Sequence, residues 1–411
     1  MTALPDGLVL RTATLADLPQ AAELLVARGE PADGTDLHLV ADSEGLDGIA
    51  VVVAGDRVVS TLTLLDEVVH VGGPGAIPAV AVTAVPAVPA GQIELVATDP
   101  AYEGRGLVRA LMGWAHARSR DRGHLLQVMI GIPFFYRQFG YAYAMPIPPW
   151  QRLATVPSAP DDVEVRRATL GDIPAMDALQ AEAQGGADVR MPHSPSCWRW
   201  LVERDGSEQW VSVRAGEVVG VARVVPGEGP DDATLVAELA AADDEAAVAV
   251  VARAAGADGG GVEVQRRAST PAALDELLAP AEEPPEWYYG RVERLGPLLA
   301  HLAPVLQARF ETAGLGDRDH EVLLSSWRTH VRFAVGPSGF QLLTEGGPEQ
   351  APIHQGGSGV PPDALAPLLL GPHGAVGLEE RLPDCLLGEQ RKLMAALFPP
   401  VTADLLTFYV P

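Results

Sequence analysis

The sequence is poorest in the residues that build covalent and metal-held frameworks. Among 411 residues there are two cysteines, Cys197 and Cys385, and no Cys-x-x-Cys pair. A disulfide scaffold and a cysteine zinc site are excluded on that count. The ten histidines form no His-Glu-x-x-His or spaced ligand cluster, so no metal is expected. Lysine occurs once, at Lys392, and 29 basic residues face 54 acidic ones, a net charge of −25. Binding nucleic acid or an anionic membrane needs clustered cations, so neither partner is expected. An acidic surface keeps a protein soluble and also accommodates small cationic substrates. The longest apolar runs, Ile77–Ala90 and Ala246–Ala257, are broken by prolines or by Arg253, and no membrane insertion is expected. Met1–Asp6 shows no basic segment leading into an apolar one, so no signal peptide is read there and the expected location is cytoplasmic.

What is abundant is apolar. A hydrophobic content of 47% is too high for a disordered chain and fills several cores, while 43 glycines and 36 prolines promise many loops. The length corresponds to about three domains. An internal repeat organises the first two thirds. Leu8–Pro19 (LVLRTATLADLP) and Val163–Pro174 (VEVRRATLGDIP) share six of twelve positions. Each reads as a short strand and a helix, with Thr14 or Thr169 as N-cap and Asp17 or Asp172 three positions on. A second echo follows in both copies: Ala54-Gly55-Asp56 and Ala215-Gly216-Glu217 sit between valine-rich alternating segments, as hairpin turns do.

Proline-rich joints at Pro146–Pro160 and Ala279–Pro285 divide the chain into units at 1–150, 151–285 and 286–411. In the last, Leu295–Ala313 is helical in pattern and Val331–Leu343 alternates around Gly336–Gly339. Pro361–Leu370 and Glu389–Leu397 read as short helices, and Leu405–Val410 as a terminal strand. The expected class is α/β (α+β): two related α/β units, then a distinct α+β unit.

Only the first copy has a feature suited to an anion. Gln92–Thr98 reads as a strand, Asp99–Tyr102 turns, and Glu103-Gly104-Arg105-Gly106-Leu107-Val108-Arg109 enters an amphipathic helix. Glycines at a strand-to-helix junction leave backbone N–H groups pointing one way, at the positive end of the helix dipole, where a pyrophosphate can sit. The second copy has Leu239–Glu245 there, without glycine and with three carboxylates.

The VAT-DP strand end, the run YEGRGLVRALM and the later Phe134–Tyr141 (FFYRQFGY) resemble the GNAT acetyltransferases over Leu8–Met145. The resemblance implies acetyl-coenzyme A as co-substrate, lying against Gly104, Arg105, Gly106, Leu107, Val108 and Arg109, with its pantetheine arm paired to Leu95, Val96 and Ala97. The whole layout resembles the Eis (enhanced intracellular survival) family of aminoglycoside and amine acetyltransferases: tandem GNAT folds, the second degenerate, then a C-terminal sterol-carrier-like α+β domain. That likeness implies a homo-oligomer, a hexamer in the family. It also implies Tyr136 as the donor that protonates the departing thiolate, and the chain's terminal carboxylate, at Pro411, as the base. Glu94 is a second candidate base; strict strand alternation would put Glu94, Val96 and Thr98 on one face. Two positions depart from the GNAT pattern, Glu103 at its first place and Val108 at its last. A carboxylate at 103 should weaken pyrophosphate binding unless it points to solvent.

The expected activity is transfer of the acetyl group to an amine of a cationic small molecule, aminoglycoside- or polyamine-like. The alternative is a catalytically impaired GNAT-like protein that binds a small molecule or lipid. A mycothiol-synthase-like transferase also has duplicated GNAT units, but that family lacks the third unit. Other motifs carry less. His193 and Cys197 (MPHSPSCW) read as a loop before a packed Trp198/Trp200 helix rather than a thiol site. Gly356–Gly359 is no nucleophile elbow, because Val360 takes its last glycine position. Trp287-Tyr288-Tyr289 reads as interdomain packing.

Overall fold

The computed structural model describes residues 4–5, 7–29, 31–73, 85–256, 261–282 and 284–407. The chain opens with β1 (Leu8–Thr12), α1 (Leu18–Arg28) and α2 (Ala32–Glu44). A long hairpin of β2 (Ile49–Ala54) and β3 (Arg57–Val71) follows, turning at Gly55-Asp56 as the sequence indicates. Next come β4 (Ala87–Thr98), α3 (Leu107–Asp121), β5 (Leu126–Met129) and β6 (Ala142–Pro146). Strands β4 and β5 are parallel, and α3 is the crossover that such a pair requires.

The second copy repeats this plan. Its elements are β7 (Trp150–Arg152), β8 (Glu164–Arg167), α4 (Ile173–Ala183), β9 (Val189–Met191) and α5 (Pro195–Glu203). They continue as β10 (Glu208–Arg214), β11 (Glu217–Gly229), β12 (Ala233–Ala241), α6 (Asp244–Ala255) and β13 (Val262–Gln265). The second sheet runs β7-β13-β12-β11-β10-β8, so β8, β10, β11, β12 and β13 match β1 to β5 strand for strand.

The repeated dozen residues are repeated in their bonding too. Arg11 forks onto Asp17 at 2.6 and 2.7 Å, and Arg166 forks onto Asp172 at 2.8 Å twice. Each aspartate also accepts from the backbone N–H and hydroxyl of Thr14 or Thr169. The neighbouring guanidinium holds both carboxyls well below the usual carboxylate range. The helices proper begin after these aspartates, so each threonine anchors the turn that feeds the helix rather than its first turn.

The remainder comprises β14 (Trp287–Val292), α7 (Leu295–His301), α8 (Ala303–Thr312), β15 (His320–Ser325), β16 (His330–Val335), β17 (Gln341–Gly346) and β18 (Ser358–Gly359). Three short helices, α9 (Leu365–Leu370), α10 (Gly374–Arg381) and α11 (Arg391–Leu397), precede β19 (Ala403–Leu405). Strands β15 to β18 form a sheet of their own. Strand β14 does not. It lies between β5 and β6, antiparallel to both, so Trp287-Tyr288-Tyr289 is part of the first sheet, with Tyr288 and Tyr289 buried. The terminal strand begins two residues earlier than the sequence indicated, and residues 408–410 lie outside the described ones. β19 pairs with β9, which in turn pairs with the end of β3, so the last described residues run between the first two units.

Candidate active site

The chain has one irregular strand where the site forms. Thr63 faces Glu94 and Thr61 faces Ala97 across β3 and β4, which leaves one residue too many on β4. Leu95 absorbs it with a left-handed φ of 52°. This bulge overturns strict alternation. Glu94 and Ala97 share the face of Thr61 and Thr63, whereas Thr98 lies opposite Ser60 on the other. The backbone holds the irregularity through side chains: the Thr63 hydroxyl donates to the Glu94 carbonyl at 2.9 Å, and the Ser60 hydroxyl to the Ala97 carbonyl at 2.9 Å.

Pairing between β4 and β5 covers only Ala90–Gln92, and beyond it the sheet splits open. Two hollows meet at the split. The larger, about 500 Å³, is lined by Val96, Ala97, Gly104, Gly106, Leu107, Val108 and Arg109, together with Arg28 and Tyr136. The smaller, about 310 Å³, is lined by Asp33, Glu94, Leu95, Gly131 and Tyr136, again with Arg28. Arg105 lies outside both linings: its guanidinium sits 4.7 Å from the centre of the Tyr102 ring and donates to the Ala101 carbonyl at 2.9 Å.

The glycine turn fits an oxyanion. Gly104 and Gly106 take φ of 71° and 79°, and a Cβ at either would meet no heavy atom within 4 Å. Gly106 caps α3 with its backbone alone, so no side chain occupies that N-terminus. In the second copy, the Asp243 side chain closes α6 by accepting from the Ala246 N–H at 2.9 Å, and Arg214 covers Asp243 and Glu245. One helix end can bind an anion from outside; the other is already satisfied. Glu103 is paired with Arg28 at 2.7 Å and half exposed, at the rim of the larger hollow.

Tyr136 sits on the short 3₁₀ turn Phe135–Phe139 and borders both hollows. Its ring meets Tyr289 edge-on at 5.8 Å and Phe135 at 5.1 Å. A Cβ on Gly131 would lie 2.4 Å from Cε2 of Tyr136, so only glycine leaves room for the ring. Burial, reinforced by Glu94, pushes the phenol up to about 12, and it is protonated at neutral pH. Burial also pushes the Glu94 carboxyl up to about 8, against the hydrogen bond from Gln92 at 2.5 Å. The larger hollow is lined by Arg109, by Arg28 and by Glu103, the partner of Arg28; the smaller is lined by Asp33, Glu94 and again Arg28. Tyr136 stands between the glycine turn and the carboxyls of Asp33 and Glu94.

Pro411 lies outside the described residues. Just before it, the Leu406 N–H donates to the Met191 carbonyl at 2.8 Å, and the Thr407 carbonyl accepts from Arg223 at 3.0 Å in the interior.

Cys197, His193 and Glu238 are brought together: Sγ lies 3.3 Å from Nδ1, and Nε2 lies 2.9 Å from the carboxylate. Glu238 has φ 52° and is the bulge residue of β12, the counterpart of Leu95. All three residues are buried, and burial, with Glu67 and Glu238 nearby, pushes the Cys197 thiol well up. A thiol that keeps its proton is not a nucleophile. The cluster fills the second copy with hydrogen bonds where the first is hollow, and Cys197 opens the packed helix α5 that the sequence indicates.

Arg28, Asp33 and Gly131, which the sequence motifs did not single out, and Tyr289, which they gave only as interdomain packing, border or shape this site. They come from α1, α2, the stretch after β5 and β14, and only the fold brings them together. Among the described residues no group of His, Cys, Asp and Glu could hold a metal ion, and no helix is long and apolar enough to cross a membrane.

Residues 10–144 match the family model of the acetyltransferase (GNAT) domain. No match was found among curated proteins. Among solved structures, a GCN5-related N-acetyltransferase from Anabaena variabilis is similar with a TM-score of 0.67 and 14% identity, covering 97% of this chain and 99% of that one. A GCN5-related N-acetyltransferase from Kribbella flavida gives 0.66 and 19%, covering 98% of each chain. Eis1 from Mycobacterium abscessus gives 0.62 and 16%, covering 97% of this chain and 99% of that one. The α/β architecture described here is therefore the GNAT-type fold of these structures.

Proposed function

We propose that the chain is an acetyl-CoA-dependent N-acetyltransferase of the Eis type, acting on an amine of a cationic small molecule of aminoglycoside or polyamine character. One observation carries the reading: Tyr136, a protonated phenol, stands between a cleft at an open helix N-terminus, bordered by Arg28 and Arg109, and a pocket that holds Asp33 and Glu94. Units at 1–150, 151–285 and 286–411 belong to the proposal, the last as a sterol-carrier-like domain whose first strand, β14, lies in the sheet of the first unit. Its support is the tandem strand order and the whole-chain similarity to Eis1.

Acetyl-CoA, as co-substrate, supplies an activated thioester. The N–H groups of Gly104 to Arg109 hold its pyrophosphate, and the unpaired edge of Leu95–Ala97 orients its arm along the split. A backbone N–H near Val96 polarises the acetyl carbonyl. Asp33 draws the acceptor's ammonium toward the smaller pocket, and Tyr136 gives its proton to sulfur as the thiolate leaves. The ammonium proton goes to Glu94 or to the carboxylate of Pro411. Support for Glu94 is its place in the pocket wall; support for Pro411 is the course of Leu406 and Thr407 into the interior. Alignment of the two substrates supplies much of the rate.

Replacing Tyr136 by Phe tests the assignment. Turnover, followed as free thiol release with a panel of amines, should fall about 10²- to 10⁴-fold, while calorimetric affinity for acetyl-CoA is kept. Unchanged turnover would remove the donor. Absence of any binding heat in the unaltered protein would favour the alternative, a small-molecule or lipid binder whose cleft Glu103 has spoiled.

A further inference from the structure

Four arginines surround the glycine turn, and three are engaged by groups that belong to the fold. Arg57 is paired with Asp99, the side chain that also accepts from the Ala101 N–H and shapes the turn. Arg105 is spent on the Ala101 carbonyl and the Tyr102 ring. Arg109 donates to the neutral Gln138 amide at 2.7 Å and lies over Phe139. Arg28 differs. It closes the last turn of α1, borders both hollows, and has as its partner the carboxylate of Glu103, 2.7 Å away at the head of the glycine turn. The side chains are 42% and 52% exposed, so the pair adds little to the stability of the fold. A carboxylate and a phosphate present the same oxyanion to a guanidinium, and the phosphate carries more charge.

We propose that Arg28 is a phosphate ligand of the coenzyme and that Glu103 holds it until then, so that coenzyme binding exchanges one oxyanion for another. The inference rests on the N-acetyltransferase reading. It gives the unusual Glu103 a definite part: a competitor for Arg28, which lowers affinity for the coenzyme and keeps the cation over the cleft until the coenzyme arrives. Simple repulsion between Glu103 and the pyrophosphate would also lower affinity, but would not act through Arg28.

Calorimetry with coenzyme A on the full chain separates the two. Four proteins are compared: unaltered, Glu103→Gln, Arg28→Gln and the double variant, each checked for an unchanged melting temperature. Glu103→Gln should tighten binding about two- to fivefold, the range an exposed ion pair spans, and less at high salt. Arg28→Gln should weaken binding, and in its background the gain from Glu103→Gln should vanish. If Glu103→Gln leaves binding unchanged or weaker, or if its gain persists without Arg28, the proposal is overturned while the acetyltransferase reading stands. If none of the four binds coenzyme A, that reading falls and takes this one with it.

Discussion

Glu94 shows how a single residue acquires chemistry from its surroundings. On an exposed strand it would be an ordinary carboxylate; here it lies buried in the wall of the smaller hollow, with Gln92 as its hydrogen-bond donor, and burial raises it to about 8. A base must be deprotonated to accept a proton. If Glu94 serves, kcat/KM falls as the pH drops through about 8, because the free protein then carries the proton already. Glu94→Gln should lower the rate and abolish that limb. If Pro411 takes the proton instead, Glu94→Gln leaves the limb in place. A pH–rate profile of both proteins decides between them. Glu94 is legible in the sequence as a carboxylate on a strand. Its burial, and the bulge that puts it on the face of Ala97 rather than of Thr98, depend on the register against β3.

At the scale of elements, the strand–turn–helix around Asp99–Leu107 was readable because its signals are local: β-branched residues, an Asp-Pro turn and two glycines. The 3₁₀ turn that carries Tyr136 depends on distant chain. The Phe134 N–H donates to the Tyr143 hydroxyl at 3.1 Å, and the Tyr289 hydroxyl donates to the Ile132 carbonyl at 3.2 Å, so β6 and β14 hold the turn from outside. Gly131 fixes it from inside. Gly131→Ala should force the phenol out of line, with a fall in kcat on the order of 10²-fold for a displacement near 1 Å, and little change in coenzyme affinity. Steady-state kinetics beside calorimetry checks the split. An unchanged kcat would mean that the turn is not what aims Tyr136.

Over the whole molecule, the last segment ties the units together. Asp404 and Arg267 form a buried, forked ion pair, 2.7 Å at its shortest contact, and Arg267 also donates to Gln180 at 2.7 Å. Removing one partner leaves the other charge stranded in the interior. Asp404→Ala should therefore destabilise the protein by about 3–5 kcal/mol, measured by denaturant unfolding. The loss should exceed that from removing an exposed pair such as Arg332–Glu321. With the segment loosened, β19 would no longer be held against β9, and any role for the carboxylate of Pro411 would be lost along with it.

Short stretches of chain carry their own structure. The repeated dozen residues, the two hairpins and the glycine turn each depend on side chains a few positions apart, where composition and spacing carry the physics. Meetings between distant parts of the chain were settled by folding alone. β14 entered the first sheet far along the chain from its neighbours β5 and β6, because an open sheet edge pairs with any strand brought alongside, and alternation says nothing of which. Arg28 met Glu103, and Asp33 came to line one hollow with Glu94, by the same route: only the folded backbone sets which groups are near.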